Sequence, residues 1–389
     1  MVTGPATRLG LVAERDKQSA ELLEQLLSIA IARLAGQYVD GEFVFTTIGE
    51  PTPAGGWQLR DSGLSLRYAA IAALGLLRLP EAEQRSVLAG HTGQDLVGLL
   101  AKKLDDITGV GDVALVCWAA AAAGHSELPH AVTRLGQLDR QAGPVDVVSA
   151  SWVVSALVAA RGQADVEEHL AVARRRLLAA PGAGAYPHVI GGGTPWYRSH
   201  VGSFADQVYP VQALARLHHS SADPEALATA NKIARVICAA QGAGGQWWWH
   251  YDSRTGGVVE GYPVYTVHQH AMAPMALLDL ADAGGDTHLD EVCRGLRWLA
   301  GPPEADVRLV LDEPPITWRK VARADHRKLV RGLRAVATRL SPGFRVQLLD
   351  RVYPPRSVDH ECRPYELGWL LYAWLSGGRG LRSRREGAA

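Results

Sequence analysis

Cysteine, phenylalanine and methionine are scarce here, with four, four and three copies in 389 residues. Cys117, Cys238, Cys293 and Cys362 are scattered and never form C-x-x-C, which excludes a disulfide framework and a zinc ribbon. Each reads as a small core residue or an incidental thiol. Excess charge is missing as well: 40 basic side chains face 40 acidic ones and the isoelectric point is near 7.3, so no surface for nucleic acid or anionic membrane is expected. No run of eighteen apolar residues occurs, and the opening MVTGPATRLGLVAER lacks a signal-peptide core. The expectation is a soluble, cytoplasmic protein. G-x-x-x-x-G-K-[ST], G-x-G-x-x-G after a strand, G-x-S-x-G and H-E-x-x-H are all absent, which weighs against nucleotide-dependent transfer, α/β-hydrolase and zincin chemistry. No cofactor is expected.

Helical periodicity, in contrast, is plentiful. Apolar residues recur at helical spacing around 17–35, 64–78, 82–104, 111–123, 127–137, 147–161, 165–179, 203–218, 223–240, 265–282, 287–300, 324–340 and 364–375, about a dozen helices. The connectors are short and rich in Gly, Pro and aromatic residues, with too little alternation for a real sheet; only YVDGEFVFT, around Asp40-Gly41, reads as a hairpin. Residues 1–375 are expected to form one domain, and 376–389, basic and Gly-rich, a disordered tail. The segments LLAAPGAGAYPHV and ICAAQGAGGQWWWHY repeat a pattern of helix, Gly turn and aromatic strip ending in His; aligning Tyr186 with Trp248 sets His188 on His250. Helix pairs repeated about six times must stack on their neighbours to bury their apolar faces. The fold class that follows is all-α, a closed (α/α)6 toroid.

Gln241, Gly245 and Trp247 in QGAGGQW resemble the Q-x-x-x-G-x-W pattern that closes helices in terpenoid cyclases. The resemblance implies the α/α-toroid fold that those enzymes share with protein prenyltransferase β subunits, a scaffold similar to that of many carbohydrate-active enzymes. The cyclase acid motif D-x-D-D is not matched: the nearest stretch is Lys103-Leu104-Asp105-Asp106. D-D-x-x-D is absent too, and Asp359, His360 and Cys362 do not reproduce the spacing of a prenyltransferase zinc site.

In such a ring the inner helices all point one way, so polar residues in their first turns gather at one mouth. Arg67, Tyr68, Asp112, Asp206, Gln207, His268, His270, Tyr365 and Glu366 fall there, and the preceding loops add Trp and Tyr residues in unusual density. Three consecutive Trp cannot all enter one core, so at least one of Trp247, Trp248 and Trp249 is expected to face a cavity. His250 and Asp252 could pair, with the acid orienting the ring, or could satisfy loop backbone groups. His268 and His270 lie about 200° apart on a helix, so both cannot face the cavity once the helix has begun. In an extended turn they could join His250 on a metal, although no metal signature is present and none is predicted. Asp359 and Glu366 supply acidic groups near Arg363, as glycoside hydrolysis requires, or complement a helix dipole. The candidate catalytic set is thus His250, Asp252, His268, His270, Asp359 and Glu366; the candidate binding set is Trp196, Tyr197, Trp248, Trp249, Tyr262, Tyr265 and Arg363. The runs Arg174-Arg175-Arg176 and Arg331, Arg334, Arg339 read as solvated helix faces.

These residues point to an enzyme acting on a carbohydrate, by glycoside hydrolysis or acid/base epimerisation, because aromatic faces suit sugar rings and His and carboxylates suit proton transfer. The expected partner is a small molecule, a sugar or an isoprenoid. An isoprenoid cyclase with Asp105 or Asp106 as acid, and a non-enzymatic helical-repeat binder, are the alternatives.

Overall fold

A computed structural model describes residues 7–377 except 142, 326–328, 345 and 347; most of the tail expected at 376–389 lies outside the described residues. Twelve helices build two concentric rings. The inner ring consists of α2 (Leu66–Leu76), α4 (Val110–Ala123), α6 (Val147–Ala160), α8 (Ala205–Ser221), α10 (Ala273–Asp282) and α12 (Pro364–Leu375). The outer ring alternates with it: α1 (Lys17–Gln37), α3 (Gly93–Ala101), α5 (Leu128–Gln141), α7 (Glu167–Ala179), α9 (Pro224–Ala239) and α11 (Leu289–Ala300). Each inner helix packs on the next, and α12 packs back on α2, so the ring closes.

Composition separates the rings. Inner helices such as α4 (VGDVALVCWAAAAA) and α6 (VVSASWVVSALVAA) are apolar nearly all round and buried, whereas α11 (LDEVCRGLRWLA) buries one stripe and exposes its charges. Small residues let the inner helices approach closely. At the closing seam, a Cβ on Gly75 of α2 would run into the backbone carbonyl of Gly368 of α12. Side chains fix several starts: Ser65 accepts from the Tyr68 amide at 3.2 Å and Asp146 from the Ser149 amide at 2.8 Å, capping α2 and α6. All four cysteines are buried and free, in keeping with core roles. No helix among the described residues is long and apolar enough to cross a membrane.

Strands are more numerous than the sequence pattern suggests. The hairpin at Asp40-Gly41 is present, with β1 (Tyr38–Val39) against β2 (Glu42–Pro51), and both turn residues have positive φ. But β2 also pairs with β3 (Trp57–Leu64) and with β10 (Glu361–Cys362). Two further sheets join β4 (Val201–Ser203), β5 (His250–Asp252) and β6 (Val258–Glu260), and β7 (Val264–Tyr265), β8 (Lys320–Ala322) and β9 (Ser357–Asp359). Most of these strands have two or three residues, too few to show alternation. Strands β3, β4, β7 and β10 each run almost directly into an inner-helix start, so the sheets wall one end of the ring.

Candidate active site at the mouth of the ring

The internal repeat explains how this wall is fixed. After α7, the Tyr186 amide donates to Gln207 Oε1 at 2.8 Å, and Gln207 Nε2 donates to the carbonyls of Tyr186 and Ser203. After α9, the Trp247 amide donates to Gln269 Oε1 at 3.3 Å, and Gln269 Nε2 to the carbonyl of Tyr265. These matching braces align Tyr186 with Trp247, one residue from the alignment drawn on sequence. His188 therefore corresponds to Trp249, and Asp206 to His268. The Q-x-x-x-G-x-W residues tie helix ends together: Gln241 Nε2 donates to the Gly245 and Glu291 carbonyls, and Trp247 is fully buried. Gly245 holds φ +97° with its Cα against the Arg294 carbonyl, a place only glycine fits.

Inside the mouth lies a cavity of about 220 Å³. Its walls include Trp152, Tyr209, Trp249, Tyr265, Tyr365 and His268, with Arg67 and Arg319 among them. Trp249 and Tyr265 also line an adjoining outer room of about 320 Å³, where Lys320, Arg323 and Arg331 meet Glu260, Tyr262 and Asp325. The Trp triplet divides as expected. Trp247 is core, Trp248 packs edge-on against Tyr262 at 5.8 Å, and Trp249 separates the two rooms.

His268 opens a single π-type turn, His268–Met272, that precedes α10. Its ring stacks on Trp249 at 5.9 Å and 8° and touches Tyr265 and Phe204 at 5.0 and 4.5 Å. Burial holds its pKa down to about 3, so the imidazole is neutral across the physiological range. His270 leaves the cavity, as the helical geometry requires. It is buried in the wall, its pKa likewise lowered to about 3 by burial, and its carbonyl accepts from Trp374 Nε1.

Across the cavity, Arg319 faces Glu366 at 3.3 Å and sits over the Tyr265 ring at 4.9 Å. Glu366 is fully buried, and burial pushes its carboxyl up to about 7 against the pull of Arg319 and Arg363. Arg363 donates to Glu361 at 2.7 Å and to the Tyr68 hydroxyl at 3.0 Å. Arg67 holds Asp112 at 2.5 Å. On the rim, His188 Nδ1 lies 3.1 Å from Asp206 Oδ2; the hydrogen bond to Asp206 raises the histidine, while burial raises Asp206.

Several expectations are corrected. The His250–Asp252 pair does not form: Asp252 is taken by Arg254 at 2.7 Å, and His250 is buried behind Trp249 with its pKa well below the usual value through burial and the nearby Arg331. The register of β5 is irregular between His250 and Tyr251, and Arg254 outcompetes a desolvated neutral ring for the carboxylate. Asp359 is an ion-pair partner of Lys320 and, at 3.6 Å, of Arg319. Trp196 is 63% exposed and lines neither room; Tyr197 packs on Val201, Val259 and Ala335 instead. Arg331 and Arg334 do not form a solvated face: half-buried Arg331 stands over Trp249 at 5.6 Å, and buried Arg334 pairs with Glu260 and Asp350 at 3.2 and 2.7 Å. Arg176 also binds buried Asp139, at 2.6 Å. Asp105 lies on an exposed turn against His130, which removes it as a cavity acid for an isoprenoid. Among the described residues no three His, Cys, Asp or Glu side chains converge as a metal site would need. Trp152, Tyr209 and Arg319 were not foreseen. The first two lie inside apolar helix patterns, and Arg319 sits in a connector whose place at the mouth only the ring reveals.

No family model matches the chain, and no curated protein matches it in sequence. Solved structures do. An unsaturated glucuronyl hydrolase specific for heparin matches 95% of this chain and 98% of its own at 13% identity, TM-score 0.56. The unsaturated glucuronyl hydrolase of Bacillus sp. GL1 covers 92% and 96% at 14% identity, TM-score 0.58. The cellobiose 2-epimerase of Bacillus thermoamylovorans covers 84% and 99% at 10% identity, TM-score 0.53. The chain has the α/α-toroid fold. The toroid thus carries its aromatic cavity at the end where the short sheets gather, and the solved structures that match it are sugar enzymes of this fold rather than the terpenoid cyclases that QGAGGQW resembles.

Proposed function

We propose that the toroid is a carbohydrate-active enzyme, a glycoside hydrolase or an acid/base epimerase, whose sugar sits in the mouth cavity. The observation that carries this reading is the lining itself: aromatic faces, a neutral imidazole and two guanidinium groups in a space of about 220 Å³. Aromatic walls accept the C–H faces of a sugar ring while a few polar groups fix its orientation. His268, neutral at physiological pH, is the group placed to accept a proton from the sugar, its ring held by Trp249 and Tyr265. Arg319 and Arg67 would clamp hydroxyls or a carboxylate. Glu366 acts through Arg319 as a positioning residue, and its value of about 7 means that this clamp changes charge balance near neutrality. Lys320, Arg323 and Arg331 in the outer room favour a sugar bearing a negative group. The fold likeness to enzymes named for unsaturated glucuronyl residues and for cellobiose supports the same class.

The test offers purified protein an unsaturated uronyl disaccharide, following loss of the ring's ultraviolet absorbance, and a neutral disaccharide, following the epimer by NMR. Turnover of either that disappears in His268→Ala is the expected result. Absence of turnover together with absence of any melting shift by either sugar would overturn the reading.

A further inference from the structure

The end of the ring opposite the mouth holds another cavity, of about 300 Å³, where inner helices α6, α8, α10 and α12 finish. Arg8, Arg78, Arg216 and Tyr372 line it, together with the carboxylates Asp279 and Asp282. Its arginines are of two kinds. Arg8 is buried and fully taken up by the wall: it pairs with two carboxylates that also line the cavity, Asp279 and, at 2.7 Å, Asp282, and donates to the Ala373 carbonyl at 2.7 Å. Arg78 and Arg216 have no carboxylate within ion-pair distance among the described residues. Their contacts are aromatic. Arg78 lies over the Tyr372 ring at 5.1 Å; Arg216 lies over Trp118 at 4.7 Å and donates to the Tyr372 hydroxyl.

Aromatic faces attract a guanidinium but offer its N–H groups no lone pair in the ring plane. Arg216 Nε, Ser376 Oγ and Arg8 Nε are buried without a hydrogen-bond partner among the described residues. The partial negative charge at the ends of the inner helices helps to gather cations here. It does not satisfy them: among the described residues none of the terminal carbonyls accepts from Arg78 or Arg216. Two forked cations braced on one tyrosine, beside unfilled donors, form the arrangement that chelates an oxyanion with several acceptor oxygens.

We propose that this far-end cavity is an anion site that takes the phosphate group of a small molecule, held between Arg78 and Arg216 with Ser376 as a further donor. It is separate from the mouth, since Trp369 and Trp118 fill the axis between the two cavities. It is also in contact with it: Tyr372 meets Trp369 at 5.7 Å, Trp369 meets Tyr209 at 5.9 Å, and Tyr209 lines the mouth.

The full chain is titrated with inorganic phosphate at constant ionic strength in a non-phosphate buffer, by calorimetry and by tryptophan fluorescence, to which Trp118 beneath Arg216 contributes. Saturable binding is expected, weakened about tenfold or more in Arg78→Gln and in Arg216→Gln, the usual effect of losing a charge-assisted hydrogen bond. Arg78 is exposed, so its variant keeps the test decisive should the half-buried Arg216 variant fail to fold. Arg323→Gln, in the outer room of the mouth, should leave phosphate binding unchanged. No saturable binding, or affinity unaltered in Arg78→Gln, or loss in Arg323→Gln, would place the phosphate elsewhere and overturn the proposal.

Discussion

Two corners of the ring share one backbone design and differ in what they present. Between α7 and α8, the Gln207 brace supports His188, 56% exposed in its side chain, against buried Asp206. Between α9 and α10, the matching Gln269 brace supports Trp249 stacked flat on His268. The first corner offers a half-exposed ring on a buried carboxylate, which favours the charged histidine; the second offers a desolvated ring that stays neutral. The brace carries the fold, so the side chains at the two matching positions are free to carry chemistry. If that division holds, chemistry and stability separate under mutation.

The largest effect should fall on the second corner. His268→Ala should lower kcat/KM by about 10²–10⁴-fold, the range for removing a general acid or base, whereas His188→Ala at the rim should cost less than about tenfold. Steady-state kinetics on whichever sugar is turned over measures both. Equal losses would erase the distinction and make the rim pair a partner in the reaction.

The braces should behave alike where the displayed side chains do not. Gln207→Leu and Gln269→Leu each strand a buried backbone amide, at Tyr186 and at Trp247, and each should lower unfolding free energy by about 1–3 kcal/mol in urea titrations. A difference greater than that whole range would mean that the corners are not built on one plan.

The sequence made the ring legible through periodicity and the repeat: about a dozen helices at helical spacing, paired and too apolar to stand alone. Tyr265 and Glu366 were readable because a residue just before or inside an inner-helix start has one place to go, and Trp249 because three consecutive Trp cannot share one core. What stayed hidden depends on contacts between distant segments. Arg319 reaches the mouth only because β8 pairs with Tyr265 on one side and Asp359 on the other. Asp252 was misjudged because Arg254, two residues on, is an equally local partner that sequence spacing cannot rank against His250. Arg331 and Arg334 sit on an amphipathic helix whose polar face turns out to cover the outer room rather than face water. A charge run is a solvated face only when nothing packs on it.

The smallest effect is the most diagnostic, because its sign differs between the corners. His188 has its pKa raised by the hydrogen bond to Asp206, so the folded state holds its proton more firmly than the unfolded state does. The stability this contributes is fully present below the ordinary histidine value of 6.5 and is lost as pH rises through the raised folded value. With half the side chain in water, it should amount to only about 0.3 kcal/mol. His268 runs the other way: burial lowers it to about 3, the unfolded chain takes up a proton first, and stability is lost as pH falls from 6.5 toward 3. Melting temperatures of His188→Gln and His268→Gln against the parent chain, at about pH 5.5 and about pH 8, read both slopes. The deficit of His188→Gln should shrink as pH rises, whereas that of His268→Gln should shrink as pH falls. Slopes of one sign would mean that Trp249 does not desolvate His268 as the stacked geometry demands, and the neutral imidazole assigned to the cavity would go with it.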